Sequence, residues 1–250
     1  MKVVGIIPVR MGSSRFPGKP LVPISGKTMI EHVFKRSALC KSLDLLAVAT
    51  PDEEIARAVR AFGGEVIMTS PAHERATDRV AEAAGMTGGD IVIVIQGDEP
   101  MLRPEMIEAA VKPVVEDVAV FCSNLVERIP TLEEFQNPNT IKVTMDSDGN
   151  ALYFSREPIP SVHRYAFGQI PAYKQVCILP FRRVNLLKFT QLKPTILEQV
   201  ESIDMLRILE HGHKVRLVET PFYTLSVDVP ADVPAVEHAL EKDPIRPLYY

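Results

Sequence analysis

Val3 to Val9 is an almost unbroken apolar run, the pattern of a short strand covered on both faces. A polar segment rich in Gly, Ser, Arg and Pro follows from Arg10 to Pro20. After Gly26 the spacing of Met29, Ile30, Val33 and Phe34 predicts a helix from Thr28 to Leu39. The alternation repeats. Leu43 to Ala49 reads as a strand, Asp52 to Phe62 as a helix stopped by Gly63-Gly64, and Glu65 to Thr69 as the next strand. Thr77 to Ala84 is helical, Asp90 to Ile95 is a second buried strand, and Pro104 to Val115 is a helix with proline in its first turn. Strands alternating with helices in this way predict an α/β fold, with a mainly parallel sheet and helices on both faces.

From about Val118 the pattern changes. AVFCSNLV and NTIKVTMD read as strands, and DSDGN supplies a hairpin turn between KVTMD and ALYFS. This stretch, 118–170, is expected to form an arm or subdomain beside the sheet of a single domain spanning 1–250. Ile196 to Glu210 reads as one helix stopped by His211-Gly212, its apolar stripe being ordinary packing or dimer surface. VRLVET and YTLSVDV follow as strands, then a closing helix from Ala231.

Composition narrows the classes. With 46% hydrophobic and 24% charged residues the chain can bury a full core, and a net charge of −4 argues against a nucleic-acid backbone as partner. Cys40, Cys122 and Cys177 form no metal or disulfide spacing and read as free thiols of a reducing compartment. No apolar run approaches membrane-spanning length, and VVGIIPV after Met1-Lys2 is too short for a signal peptide. A cytoplasmic protein without membrane attachment is the expectation. The histidines show no ligand spacing except His211-Gly212-His213, read as a helix cap and a solvated side chain.

Three motifs carry candidate chemistry. Directly after the first strand, Arg10-Met11-Gly12-Ser13-Ser14-Arg15-Phe16-Pro17-Gly18-Lys19 combines glycines for close backbone approach, hydroxyl donors, and three cations suited to a triphosphate. It matches neither GxxxxGK[ST] nor GxGxxG, which disfavours a P-loop enzyme and a nicotinamide-dependent oxidoreductase. Gln96-Gly97-Asp98-Glu99-Pro100 ends the second buried strand and places Asp98 where a carboxylate can hold Mg²⁺ on a nucleotide. In Ser226-Val227-Asp228-Val229-Pro230-Ala231-Asp232, Asp228 is read as ending another strand and as a second carboxylate for the same metal. Asp232 is read as a helix-starting residue.

Taken together, IIPVRMGSSRFPGKPL, AFGGEVIMTSP, TDRVAEA, VIQGDEP, ALYFSREPIP and LEQVESIDMLRILEHG resemble the 3-deoxy-manno-octulosonate (Kdo) cytidylyltransferases, from Lys2 to Leu240. The resemblance implies a Rossmann-like sheet of the nucleotide-diphospho-sugar transferase type, a small dimerisation subdomain and a homodimer. It implies CTP and a sugar acid as partners and Mg²⁺ as cofactor, held by Asp98 and Asp228. Arg10, Gly12, Ser13, Arg15, Lys19, Arg79, Gln96 and Asp98 would bind nucleotide, with Arg10, Lys19, Asp98 and Asp228 catalytic. Arg156, whose planar fork suits a carboxylate, joins Arg75, Gln175 and Asp204 as candidate acid-binding residues.

The resemblance is uneven. Arg75-Ala76 stands where the family has Ser-Gly, Gln175 to Leu179 where it has His-Ile-Gly-Ile-Tyr, Asp204-Met205 where it has Glu-Gln, and Ser226 where it has Gly. These departures cluster in the acceptor half, and each buried polar group left unpaired costs a polyhydroxylated substrate about 1–3 kcal/mol. The expectation is a cytidylyltransferase whose acid is not ordinary Kdo but a related, Kdo-like keto-deoxy acid or a less hydroxylated acid. The alternative is that neighbouring side chains compensate and Kdo itself is used. A CTP-binding protein that has lost transfer is disfavoured by the presence of both aspartates.

Overall fold

The computed structural model describes residues 1–12 and 15–250. Its backbone contacts divide the chain into two compact units, Met1–Glu108 with Thr224–Tyr250, and Ala109–Tyr223.

In the first unit, β1 (Val3–Pro8) leads through a loop to the two-residue strands β2 (Pro23–Ile24) and β3 (Lys27–Thr28) and then α1 (Met29–Ser37). β4 (Leu45–Thr50), α2 (Glu53–Ala61), β5 (Glu65–Met68), α3 (Ala76–Thr87) and β6 (Ile91–Ile95) follow, and α4 (Pro104–Glu116) starts in this unit and ends in the second. The strands pair in the order β5-β4-β1-β6, all parallel. β1 and β6 are buried along their whole length, as their unbroken apolar sequences require of strands sandwiched on both faces. Because every strand runs the same way, the carboxyl ends of β1 and β6 lie side by side. The loop after β1 and the Gln96–Glu99 turn after β6 therefore emerge at one edge.

In the second unit, β7 (Cys122–Arg128) is followed by α5 (Leu132–Gln136), β8 (Lys142–Met145) and β9 (Ala151–Ser155). β10 (Tyr173–Val176), β11 (Ile178–Arg182), α6 (Arg183–Gln191), α7 (Ile196–Glu201), α8 (Met205–Glu210) and β12 (Val215–Thr220) complete it. The β8–β9 hairpin is antiparallel around the expected turn, β10 pairs antiparallel with β7 and β8, and β12 lies parallel to β7. The change of pattern expected near Val118 falls at the start of this unit.

Two element expectations are corrected. Ile196 to Glu210 is not one helix: α7 ends where Ser202 takes a left-handed conformation (φ 56°), and α8 starts anew at Met205. The buried Glu198–Arg207 ion pair links the two helices. YTLSVDV is not a strand either. It runs extended without a ladder, and its Leu225 and Val227 enter an apolar cluster with Ile24, Met29, Val236 and Leu240. Alternating apolar residues specified a buried side, and the core satisfied that without a neighbouring strand. α9 (Val233–Glu241) closes the fold as expected.

Candidate active site

The loop after β1 is pinned at its start. The Asp52 side chain, at the N-cap position of α2, accepts the Met11 amide at 2.8 Å, and Gly18 donates its own amide to Met11 O at 3.1 Å. Gly18 sits at φ 74°, a left-handed turn that glycine adopts without steric cost. The turn delivers Lys19 inward, where its ammonium donates to Asp98 Oδ2 at 2.8 Å and to Val227 O at 2.9 Å.

Asp98 owes its place to Gly97. A Cβ on Gly97 would stand 2.3 Å from Val9 Cγ1, so only glycine lets the turn after β6 pack against the end of β1. The amide of Val227 donates to Asp98 O at 3.0 Å, and this bond brings the extended 223–229 segment to the same edge. Asp228 is therefore positioned by a single backbone hydrogen bond and by Asp232, whose Oδ2 accepts the amides of Asp228 (2.7 Å) and Val229 (2.8 Å). Asp232 stands just before α9, as expected. Arg15 Nη2 meets Asp228 Oδ1 at 2.7 Å.

Two carboxylates and two cations thus converge. Burial pushes the Asp228 carboxyl above its ordinary value, the Asp98 charge pushes it further, and Lys19 and Arg15 oppose the rise. Asp228, whose charge burial and Asp98 disfavour, forms with Asp98 a hard-oxygen donor pair that a divalent cation would relieve, so the residues fit Mg²⁺. Among the described residues no group of three or more His, Cys, Asp or Glu forms a further metal cluster.

The other expected nucleotide residues are placed as follows. Arg10 and Gly12 are exposed, and a Cβ on Gly12 would meet nothing within 4 Å, which leaves this stretch open to a ligand. Ser13, and Ser14 beside it, lie outside the described residues. Gln96 is half-buried at the end of β6. Arg79 is only 3% exposed and donates to Thr69 Oγ1, Ser70 O and His73 O; burial and the Arg10 charge both lower its pKa. It braces the 69–73 loop beside Arg10. Arg75 occupies the N-cap position of α3.

In the second unit, Arg156 donates from Nε to Glu201 O (2.7 Å) and from Nη1 to Pro138 O (3.1 Å). Gln175 donates its amide to Asn124 Oδ1 at 2.5 Å, and Asp204 stands at the N-terminus of α8. Leu179 and Met205, at two of the departures, are buried (3% and 0% exposed) and offer a sugar no polar contact. His211 caps α8 and bonds Lys193 O, but His213 is not fully solvated: its ring stacks on Phe121 at 4.5 Å. Sequence reasoning missed Asp52, Asn124 and Glu201. Asp52 alone had a local signal, its place before a helix.

A basic loop and a pair of aspartates at the carboxyl edge of a parallel sheet define a nucleotidyltransferase of α/β type. The cytidylyltransferase family profile matches residues 4–215. The chain is 43% identical to 3-deoxy-manno-octulosonate cytidylyltransferase from Geobacter metallireducens (97% of this chain, 99% of the relative). It is 45% identical to the protein of that name from Syntrophobacter fumaroxidans (98% and 99%). A solved structure of CMP:2-keto-3-deoxy-manno-octonic acid synthetase complexed with CTP superposes with a TM-score of 0.89 at 39% identity, over 97% of this chain and 99% of that one. The chain belongs to the 3-deoxy-manno-octulosonate cytidylyltransferase family.

Proposed function

We propose that the protein joins CTP to Kdo, forming CMP-Kdo and releasing pyrophosphate. The observation that carries this reading is the clamp of Lys19 and Arg15 on Asp98 and Asp228, in a chain 43–45% identical to Kdo cytidylyltransferases over nearly its whole length. The sugar's anomeric oxygen attacks the α-phosphorus in line. The bond from that phosphorus to the bridging oxygen breaks, and pyrophosphate departs as the hydroxyl proton is released. Little covalent work falls to the protein, whose part is positioning and charge neutralisation. Arg10, Arg15 and Lys19 supply the positive charge, and the open backbone at Gly12 allows close approach. Asp98 and Asp228 would hold Mg²⁺, which when bound neutralises charge on the phosphates.

Arg156 is the group for the acid's carboxylate: two backbone carbonyls take its Nε proton and one Nη1 proton and hold the guanidinium, leaving the other Nη1 proton and the Nη2 protons for a ligand. The buried apolar Leu179 and Met205 favour a second reading, an acid with fewer hydroxyls than Kdo. Pyrophosphate release with a panel of keto-deoxy acids decides between them: turnover with Kdo supports the first, and turnover only with a less hydroxylated acid supports the second. A homodimer, as the family resemblance implies, is part of this reading, and sedimentation equilibrium tests it. Among the described residues no helix is long and apolar enough to cross a membrane, and we read the enzyme as cytoplasmic.

A further inference from the structure

Lys142, on β8, is fully buried (0% exposed), an unusual place for an ammonium group. Its three protons go to three backbone carbonyls, Asn137 O at 2.9 Å, Thr140 O at 2.7 Å and Arg156 O. The first two belong to the turn that precedes β8 and the third to the residue just after β9. Arg156 in turn reaches Pro138 O with Nη1 and Glu201 O with Nε, while its amide donates to Glu201 Oε2 at 2.8 Å. Glu201 also accepts Ser155 Oγ at 2.9 Å and Tyr153 OH at 3.4 Å. Lys142 is therefore the hub through which the 137–140 turn and the Arg156 backbone are held to one another.

We propose that Lys142 is a positioning residue for the acid substrate, acting by fixing the backbone and hence the guanidinium of Arg156. The inference rests on the reading of Arg156 as the carboxylate partner. The three acceptors explain the residue type: an ammonium supplies three donors to three carbonyls, which an apolar side chain cannot. Burial is the main cause that lowers the Lys142 pKa; Glu157 and Glu201 oppose the fall, Arg156 adds to it, and the net value is about 8. Neutral lysine carries two protons, so its deprotonation leaves one carbonyl of the three without a donor.

The test is K142M, with the KM for Kdo and for CTP measured separately. The expected result is a KM for the acid raised at least tenfold, with the KM for CTP within twofold of wild type. Faster amide exchange at 137–140 and 156–157 should accompany it. An unmoved KM for the acid, or equal rises in both constants, would overturn the proposal. Should K142M not fold, the wild-type enzyme decides between pH 7 and 9.5. A KM for the acid that climbs above about pH 8, with the KM for CTP flat, supports the proposal; a KM for the acid flat across the range contradicts it. R156M separates the two readings. If its KM for the acid is unchanged, the role of Arg156 has failed, while exchange at 137–140 in K142M still reports the coupling.

Discussion

Replacing Gly97 by alanine places a methyl group 2.3 Å from Val9 Cγ1, with Ile7 Cγ2 and Pro8 O each 3.5 Å away. Carbon atoms in contact sit about 3.5–4.0 Å apart, so roughly 1.2–1.7 Å of relief is required. Little is available. Val9 is 7% exposed and tied by its amide to Ala49 O at 3.0 Å, Ile95 is fully buried, and the atoms at 3.5 Å block a sideways escape. Overpacking of this kind costs about 1–3 kcal/mol. For a chain of this size each kcal/mol lowers Tm by roughly 2–4 °C, so G97A should melt about 2–12 °C below wild type. The strain falls beside Asp98, and a misplacement of about 1 Å costs on the order of 100-fold in rate. Differential scanning calorimetry and pyrophosphate release measure the two effects. V9A removes the colliding atom, so V9A/G97A should recover at least half of the melting loss relative to V9A alone. A G97A enzyme with unchanged Tm and turnover, or a double variant with no relief, would refute the steric origin of the glycine.

Other consequences follow from the same geometry. The Asp228 carboxyl is raised above its ordinary value, so the folded state binds more protons than the unfolded one between those two values, and stability contributed by Asp228 falls as pH rises through that window. D228N should therefore melt slightly above the metal-free wild type at pH 7 while losing turnover; a lower Tm would contradict the burial argument. K19M removes the links to Asp98 and Val227 O and should raise the KM for CTP at least tenfold with the far-UV circular dichroism unchanged. Arg36, 0% exposed, pairs with Asp243 and donates to Leu102 O at 2.7 Å and Met101 O at 3.1 Å, just beyond the Asp98 turn. R36M leaves the buried Asp243 with Arg103 at 4.0 Å and the Ile245 amide at 3.3 Å, a loss of up to about 3–5 kcal/mol readable as a lower midpoint in urea.

The parallel half of the fold was legible because its signals are local. VVGIIP and IVIVI announce doubly covered strands, and Asp98 follows one of them through a glycine that packing demands. The motif at Asp228 was legible, but the strand expected to carry it is not there. The alternation in YTLSVDV records which side chains are buried, and it cannot tell a ladder from an extended segment lying on an apolar cluster. The break at Ser202 was missed because apolar spacing continues across it. The second unit was least legible, and β10, β11 and α6 went unread. Its ordering groups are buried charges such as Lys142, Glu198 and Arg207, whose partners are brought together only by the fold. Arg79 shows a further limit of sequence reading: its motif gave no sign that three of its donors hold the 69–73 loop.

The most direct test of the proposed reaction is pyrophosphate release from CTP, Kdo and Mg²⁺ by wild type and D98N, side by side with a thermal melt of each. Turnover by wild type that depends on all three components, and its loss in a folded D98N protein, is the expected result. An active D98N enzyme, or a wild type that binds CTP and releases no pyrophosphate with any keto-deoxy acid, would contradict it.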